Sequence, residues 1–225
     1  RFRELPDDQM KYFVDYLEAG KPVIGLRTST HAFSYSRNKD SQYAHFHWQS
    51  SDWPGGFGQQ VFGETWVNHH GHHGSESTRG VIEGRHKSHP ILIGVKDIWG
   101  PTDVYGTAHL PKDISVLVHG VTLSGMQPDS LPNYDKPLMP VAWVREHQGK
   151  HGNSNRIFCS TMGAATDLVS ADLRRLLVNA CYWGLKMENQ IKPDSNVDYV
   201  GTFKPTQFGF GKFVKGIKPE SHELK

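Results

Sequence analysis

Apolar residues near the start of the chain recur at the spacing of an α-helix. The recurring positions are Met10, Phe13, Val14 and Leu17. Pro6 and the acidic pair after it are typical of a helix start, and Gly20 is typical of a helix end. The pattern therefore predicts a first helix between Pro6 and Gly20.

Several later runs of apolar residues are typical of buried strands, because they are short and bounded by polar or turn-forming residues. These runs are PVIGL (22–26), SVLVHGVTL (115–123), MPVAWVREH (139–147) and RIFCSTM (156–162). Weaker strand patterns are VIEG (81–84) and DVYGTAHL (103–110). Short helical turns are predicted in GGFGQQVFG (55–63) and SHPILIGV (88–95).

A second helix is predicted over residues 171–187. Its apolar positions share one face, and Asp167 and Ser170 are candidate caps for its start. Strand patterns that alternate with helices predict an α/β fold, flavodoxin-like, with a mostly parallel sheet covered by helices on both faces. We expect one α/β domain over residues 1–187, followed by a tail over 188–225 that wraps over its surface.

Polar segments lie at the ends of the predicted strands, where binding sites of open α/β sheets gather. These segments are RTSTH (27–31), YGTAH (105–109) and STMGAATD (160–167). Because they follow apolar runs, we expect them to meet at one edge of the sheet. The sequence therefore predicts that the functional residues lie mainly in these segments.

The composition narrows the class of protein. The chain has 225 residues, with 25 basic and 23 acidic side chains and a net charge of +2. This balance gives no electrostatic footprint for nucleic acid or an anionic membrane, and no apolar stretch approaches the length of a membrane span. Cys159 and Cys181 lie in apolar runs, so we expect two buried thiols rather than a disulfide framework.

The start of the chain bears on its compartment. The sequence begins at Arg1 without a methionine, so we expect an upstream segment to be absent. Any targeting signal would have been lost with that segment, which leaves cytoplasmic, periplasmic and secreted locations open. The composition leaves the oligomeric state open as well.

Histidine is unusually frequent, with 14 residues, and most of them lie between His31 and His119. The densest group is His69, His70, His72 and His73. Neutral imidazoles bind transition metals, and the two glycines of this loop allow ligands to come close. The loop therefore predicts a site for a divalent transition metal, namely zinc, manganese or nickel. The alternative is a polar loop in which one or two histidines contact substrate.

Arg27 directly follows a predicted strand, which is unusual for a charged residue. Its guanidinium offers several donors to an oxyanion or carboxylate, and His31 is suited to proton transfer near neutral pH. Ser29 is a candidate substrate contact, since the sequence pairs no base with it for a nucleophilic role. The alternative is a capped helix start in which Arg27 pairs with a structural carboxylate.

Further candidates for substrate contact lie in later segments. A tyrosine at a strand end, Tyr105, can orient a sugar hydroxyl or donate to a developing oxyanion, although a half-buried core aromatic is the alternative. Asp103 and Arg145 are candidate substrate contacts, with a solvated turn as the alternative for Arg145. Loop tryptophans stack on sugar faces or pack loops down. These tryptophans are Trp48, Trp53 and Trp66, of which Trp66 is assigned to the substrate site.

Several longer segments stand in a characteristic order along nearly the whole chain. They are GKPVIGLRTSTHAF, FGETWVNHHGHHG, HPILIGV, TDVYGTAHL, PVAWVREHQGKHGNSNRIFCSTMGAATDL, RRLLVNACYWGL and VDYVGTFKPTQFGFG. This ordered set resembles the trehalose-utilisation (ThuA-like) family. The resemblance implies carbohydrate metabolism and a flavodoxin-like sheet similar to that of class I glutamine amidotransferases. It also implies a strand–helix–strand unit ahead of the first helix, which this sequence lacks.

The resemblance does not extend to amidotransferase chemistry. That superfamily places a nucleophilic cysteine at the elbow after a strand, and its histidine at a later strand end. Here the elbow reads GLRTS (25–29) and the later strand end reads TMGAA (161–165), so neither residue is present. We therefore expect no cysteine–histidine glutaminase, and we expect no nucleotide cofactor.

The resemblance implies an enzyme that acts on a sugar derivative, and 3-keto-glycosides are the expected substrates. The expected catalytic residues are Arg27, His31 and Tyr105. His31 would remove the proton beside the ketone, and Arg27 or a metal would stabilise the enolate. One alternative is a non-catalytic module that binds a carbohydrate or a partner, and another is a metal-dependent hydrolase of an amide or ester. Histidines that converge on Arg27 favour an enzyme, whereas outward scatter favours a binding surface.

Overall fold

The computed structural model describes residues 1–149, 151–209 and 211–223, which form a six-stranded sheet with an α-helix against each face. The helices are α1 (Asp7–Glu18) and α2 (Ala171–Gly184). The strands are β1 (Val23–Leu26), β2 (Ser77–Ile82), β3 (Ile98–Gly100), β4 (Ser115–Leu123), β5 (Met139–Gln148) and β6 (Ser154–Ser160). The order across the sheet is β1-β6-β5-β4-β2-β3.

The direction of the strands differs from the prediction. Only β1 and β6 pair in parallel within the described sheet, and the other neighbours are antiparallel. A parallel connection needs a crossover of a dozen or more residues, usually a helix. No α-helix lies between β1 and β6 in the described residues, and β5 and β6 are consecutive strands that pair antiparallel. The α/β class is confirmed and is compatible with a flavodoxin-like fold, but the mostly parallel order is wrong.

The adjacent strands β5 and β6 separate two apolar clusters, because successive side chains of a strand point to opposite faces. Trp143 and Ile157 belong to the cluster that α1 covers. Val144 and Phe158 belong to the cluster that α2 covers. All four side chains are buried, so the sheet has a core on each side. The prediction of helices on both faces is therefore confirmed.

The helix boundaries follow the local signals in the sequence. Gly20 lies just beyond α1 with φ of +72°, a conformation that glycine adopts without strain. Ser170 caps α2, since its hydroxyl accepts a hydrogen bond from the Leu173 amide at 3.2 Å. No helix of the described residues is long and apolar enough to cross a membrane.

Some local predictions differ from the structure. The 103–110 segment is not a strand and makes a single bridge, from Tyr105 to His69. The segment is held instead by the loop that carries His69–His73, called the histidine loop below. In this loop the amides of His70 and Gly71 both donate to the Val104 carbonyl. The sequence did not indicate β3, since three residues are too few to show a period. The turns predicted in 55–63 and 88–95 are confirmed as a π-helical turn and a 3₁₀ turn.

The two cysteines are free thiols in different surroundings. Cys159 is buried within β6, whereas Cys181 is exposed on α2. The prediction of two buried thiols is therefore wrong for Cys181. The reason is rotation along the helix, because the preceding residue, Ala180, is the one that faces the sheet.

The chain after α2 adds no strand or α-helix in its described residues, and its first part packs against α2. Ile191 and Val197 are buried. The Arg174 side chain donates to the Val197 carbonyl at 2.6 Å, and Arg175 donates to the Ser195 carbonyl at 2.7 Å. These contacts hold residues 191–197 beside the helix.

The carboxylate of Asp167 joins the end of β6 to the loop after β3. It is fully buried and accepts hydrogen bonds from the backbone amides of Gly163 and Ala164 at 2.9 and 3.0 Å. It also accepts from the amide and the hydroxyl of Thr102, at 3.1 and 2.7 Å. Asp167, which the sequence indicates as a candidate helix cap, therefore holds Thr102 in place. Because Asp103 is the next residue, its position is fixed as well.

We expect Asp167→Ala to lower the free energy of unfolding by about 2–4 kcal/mol, because it leaves several buried donors without an acceptor. Urea unfolding followed by circular dichroism measures this change. Asp194→Ala, at an exposed position, is the control and should change stability by less than about 0.5 kcal/mol. Equal effects of the two substitutions would contradict the role of Asp167.

Candidate functional site

The carboxyl ends of β1 and β6 lie side by side, since Leu26 pairs with Ser160 in the parallel register. The backbone amide of Arg27 donates to the Met162 carbonyl at 3.2 Å. Its Nη1 donates to the carbonyls of Thr161 and Asp103, each at 3.0 Å. All three polar segments predicted to converge therefore meet at Arg27, since its guanidinium also lies against the ring of Tyr105.

Asp103 is the centre of this site. Its side chain is fully buried, and Oδ1 lies 2.7 Å from Nη2 of Arg27. Nδ1 of His73 lies 2.9 Å from the same oxygen, and Nδ1 of His69 lies 2.5 Å from Oδ2. Since a carboxylate only accepts, both histidines present N–H to it at Nδ1. Their Nε2 atoms then carry a lone pair that is not used by Asp103.

The ionisation of Asp103 follows from these contacts. Burial alone would raise its pKa, because it disfavours the charged form. The positive charge of Arg27 and hydrogen bonds from His73 and His69 outweigh burial and lower the pKa below its usual value. The carboxylate is therefore ionised at neutral pH and holds both imidazoles in one orientation. The histidine side chains themselves remain 41% and 51% exposed at His69 and His73.

The histidine loop is held at both ends. At one end, the amides of His70 and Gly71 donate to the Val104 carbonyl, each at 2.9 Å. A Cβ at Gly71 would lie 3.1 Å from the Cβ of Asp103, so glycine permits the close approach. At the other end, Glu76 accepts from the His72 amide at 2.6 Å. The loop therefore has little freedom to move away from Asp103.

Glu76 is itself a buried ionised group. Burial opposes its charge, but hydrogen bonds from Lys136, Asn133 and the His72 amide lower its pKa to about 2. The Lys136 ammonium lies 2.6 Å from Oε2. This pair anchors the loop from the side away from Asp103.

Tyr105 lies under Arg27 rather than facing solvent. The guanidinium carbon is 4.1 Å from the ring centroid, within the range of a cation–π contact. The side chain is buried, and burial raises the pKa of its hydroxyl. Tyr105 therefore supports the Arg27 side chain, which corresponds to the alternative of a buried aromatic.

His31, the base expected from the sequence, lies in an apolar setting. It is buried between aromatic rings, with the Trp66 centroid at 5.6 Å and the Tyr105 centroid at 6.3 Å. Burial, followed by nearby positive charges that include Arg1 and Arg27, lowers its pKa to about 3. It is neutral at pH 7 and a weak base there. His31 therefore suits a role as a neutral hydrogen-bonding group better than proton abstraction.

Other predicted residues are placed apart from Asp103. Nε2 of His70 lies 3.0 Å from the Pro137 carbonyl, and His72 is outside the group that could share a metal ion. The Ser29 hydroxyl donates to the Leu26 carbonyl at 2.9 Å, so it closes the turn after β1. Arg145 pairs with Ile157 near the opposite end of the sheet.

The structure brings to the site residues that no sequence pattern indicates. The tail was expected to wrap the surface, yet Gln207 and Phe208 line a cavity of about 50 Å³ together with Arg27, His73 and Thr166. Asp103 was expected to contact substrate, whereas it organises the other residues. No local signal distinguishes such a role, because its partners are 30 to 76 residues away in the chain.

We expect the stability of the protein to depend on His31 below pH 6.5. The folded pKa of about 3 lies below the unfolded value, so the unfolded chain binds an additional proton between these values. Stability is lost as the pH falls through this window, by up to about 1.4 kcal/mol per pH unit. His31→Gln should lower the slope of stability against pH, as measured by urea unfolding from pH 7 to pH 4; His89, whose pKa burial lowers to about 4, contributes to the remaining dependence. The exposed His151→Gln variant is the control, and identical slopes in all three proteins would contradict the burial of a neutral His31.

Comparison with known proteins identifies the family. A family model described as ThuA, trehalose utilisation, matches residues 3–184. The matched region contains the six strands and both α-helices described above. Searches of curated proteins and of solved structures found no match. The family description links the chain to carbohydrate utilisation. Since the match covers most of the chain, the protein belongs to the ThuA (trehalose utilisation) family.

Proposed function

We propose that this protein is an enzyme of carbohydrate metabolism that acts on 3-keto-glycosides, with His69 and His73 as its proton-transfer groups. One observation carries the proposal: the buried Asp103 carboxylate orients two half-exposed imidazoles toward solvent. A carboxylate that accepts from Nδ1 fixes the tautomer and the orientation of an imidazole. The site therefore offers two oriented bases at the protein surface.

The chemistry balances without an oxidant or a reductant. The ketone at C3 of the sugar acidifies the C–H bond at C2, and an imidazole removes that proton. The electron pair of the enolate then forms the C1–C2 double bond while the bond from C1 to the glycosidic oxygen breaks. The imidazolium returns its proton to the departing oxygen. Water adds to C1 and a proton returns to C2, so that the overall reaction is hydrolysis.

Arg27 has a different part in this proposal from the one expected from the sequence. The Arg27 guanidinium donates three hydrogen bonds to oxygens of Asp103 and Thr161, and Arg27 is buried. Its fork of donors is thus largely engaged by the protein. Arg27 is a positioning residue that keeps Asp103 ionised, and the two histidines contact the substrate.

The same residues fit a divalent metal ion. One ligand atom each from His69, His73 and Asp103 lies within 4.8 Å of the others. Two imidazoles and a carboxylate are ligands that zinc, manganese and nickel accept. When bound, such an ion would act as a Lewis acid toward the oxygen that gains charge in the enolate. His70 and His72, also expected as ligands, are not part of this group.

A non-catalytic carbohydrate-binding module is the second candidate. The observation that favours it is the shallowness of the site, because the cavity beside Arg27 and His73 is only about 50 Å³. Binding clefts for small molecules usually enclose several hundred Å³. Turnover of a keto-glycoside distinguishes the enzyme from the module.

We expect the protein to release p-nitrophenol from p-nitrophenyl 3-keto-glucoside, as followed by absorbance. Asp103→Asn and His69→Ala should each lower kcat/KM by about 10²–10⁴-fold, because a positioned base typically contributes that factor. His72→Ala is the control on the same loop and should stay within a few-fold of the unaltered protein. No turnover by the unaltered protein, or equal losses in all variants, would contradict the proposed enzyme.

For the metal, we expect elemental analysis of protein purified without chelators to find about one zinc, manganese or nickel ion per chain. The double variant His69→Ala/His73→Ala should lose that ion, since it removes both imidazole ligands. His70→Ala, the neighbour that is turned toward Pro137, should retain it. Absence of metal from the unaltered protein after reconstitution with all three ions would exclude the metal site and leave acid–base chemistry at the histidines.

A further inference from the structure

A second and larger cleft lies on the α1 side of the sheet, with a volume of about 670 Å³. Its walls are α1, the loop over 42–53, and the end of β5. Arg145 and His147 line it from β5. In the sheet, Arg145 of β5 pairs with Ile157 of β6, and Ile157 pairs with Val23 at the start of β1. Arg27, in contrast, directly follows the last residue of β1. The cleft and the Asp103 site are therefore at opposite ends of the sheet.

One wall of the cleft is aromatic. Trp53 lies with its ring 5.1 Å from the Phe46 ring and 5.5 Å from the His45 ring, in edge-on arrangements. Phe46 is buried, so it holds Trp53 against the core, while Trp53 itself is only partly buried. Tyr43 lines the same wall. These rings offer flat apolar surfaces of the kind that pack against the C–H face of a pyranose ring.

The facing wall is polar. Arg145 is fixed by hydrogen bonds to the Gln60 carbonyl at 3.1 Å and to Asp113 at 2.8 Å. Burial and the charge of Arg145 lower the pKa of His147, so its ring is neutral at pH 7. Its one N–H donates to the Gln60 backbone, which leaves the other ring nitrogen as an acceptor. Gln42 and Asp52 add an amide and a carboxylate at exposed positions of the lining. Such groups form hydrogen bonds with hydroxyls.

The charges around the cleft favour a neutral ligand. Its acidic side chains are Glu18 and Asp52, and the cation of Arg145 is already paired with Asp113. The described residues that line the cleft thus present no excess of positive charge to hold a phosphate or a carboxylate. The volume falls within the usual range of small-molecule pockets. An aromatic wall opposite hydroxyl-binding groups suits a polar ring-shaped molecule better than a lipid.

We infer that this cleft is a binding site for a neutral saccharide, separate from the Asp103 site. Trp53 provides the stacking surface, and Arg145, His147 and Gln42 lie where they can contact hydroxyls. Arg145 is a candidate substrate contact from the sequence, and Trp53 is one of the loop tryptophans that either stack on a sugar or pack a loop; both line this cleft. The inference does not depend on the chemistry proposed at His69 and His73.

The test is isothermal titration of the full chain with trehalose, a neutral disaccharide, at millimolar concentrations. We expect saturable binding that Trp53→Ala weakens by about tenfold, the factor that a lost aromatic contact typically produces. Trp53→Phe should show a smaller loss, since it keeps a ring. Asp103→Asn should bind as the unaltered protein does.

A second pair of variants protects the test against misfolding of Trp53→Ala. Gln42→Ala removes an exposed amide that lines the cleft, and Gln49→Ala removes an exposed amide outside it. We expect only Gln42→Ala to weaken binding, by several-fold. Equal affinities of these two variants, loss of binding in Asp103→Asn with retention in Trp53→Phe, or no binding by the unaltered protein would each overturn the inference.

Discussion

The buried charge of Asp103 is the constraint on which the candidate site depends. A carboxylate removed from water must be matched by donors and positive charge, and removal of one partner of a buried pair is costly. Arg27 supplies the charge from the end of β1, and His69 and His73 supply donors from a separate loop. Three distant stretches of chain therefore meet at the two carboxylate oxygens of Asp103. The orientation of the two imidazoles follows from their hydrogen bonds to that carboxylate.

The sheet keeps the two candidate sites apart. The parallel pair β1–β6 brings its carboxyl ends to Arg27, while antiparallel β5 runs the other way and carries Arg145 and His147 to the far end. Reversal of strand direction thus gives each end of the sheet its own polar residues. Successive side chains of β5 also point to opposite faces of the sheet. The strand therefore contributes residues to both cores and to both ends of the sheet.

The sequence predicted elements whose signals are local. α1, α2 and the three long strands show clear periods and caps, and the family resemblance drew on their order. Strand direction was not predictable from these signals, because it depends on which strands become neighbours. The site shows the same division. The segments around Arg27 and His69 were identified, but the role of Asp103 and the low pKa of His31 arise from burial and from partners distant in the chain.

Arg27 illustrates how backbone conformation and charge can place opposite demands on one position. Its φ of +38° lies in a region that costs energy for any residue with a side chain, and glycine would relieve that cost. Glycine would also remove the guanidinium on which the Asp103 carboxylate depends. The backbone and the side chain at this position thus favour different residues. Arginine at this position therefore lowers local conformational stability while it stabilises the charge of Asp103.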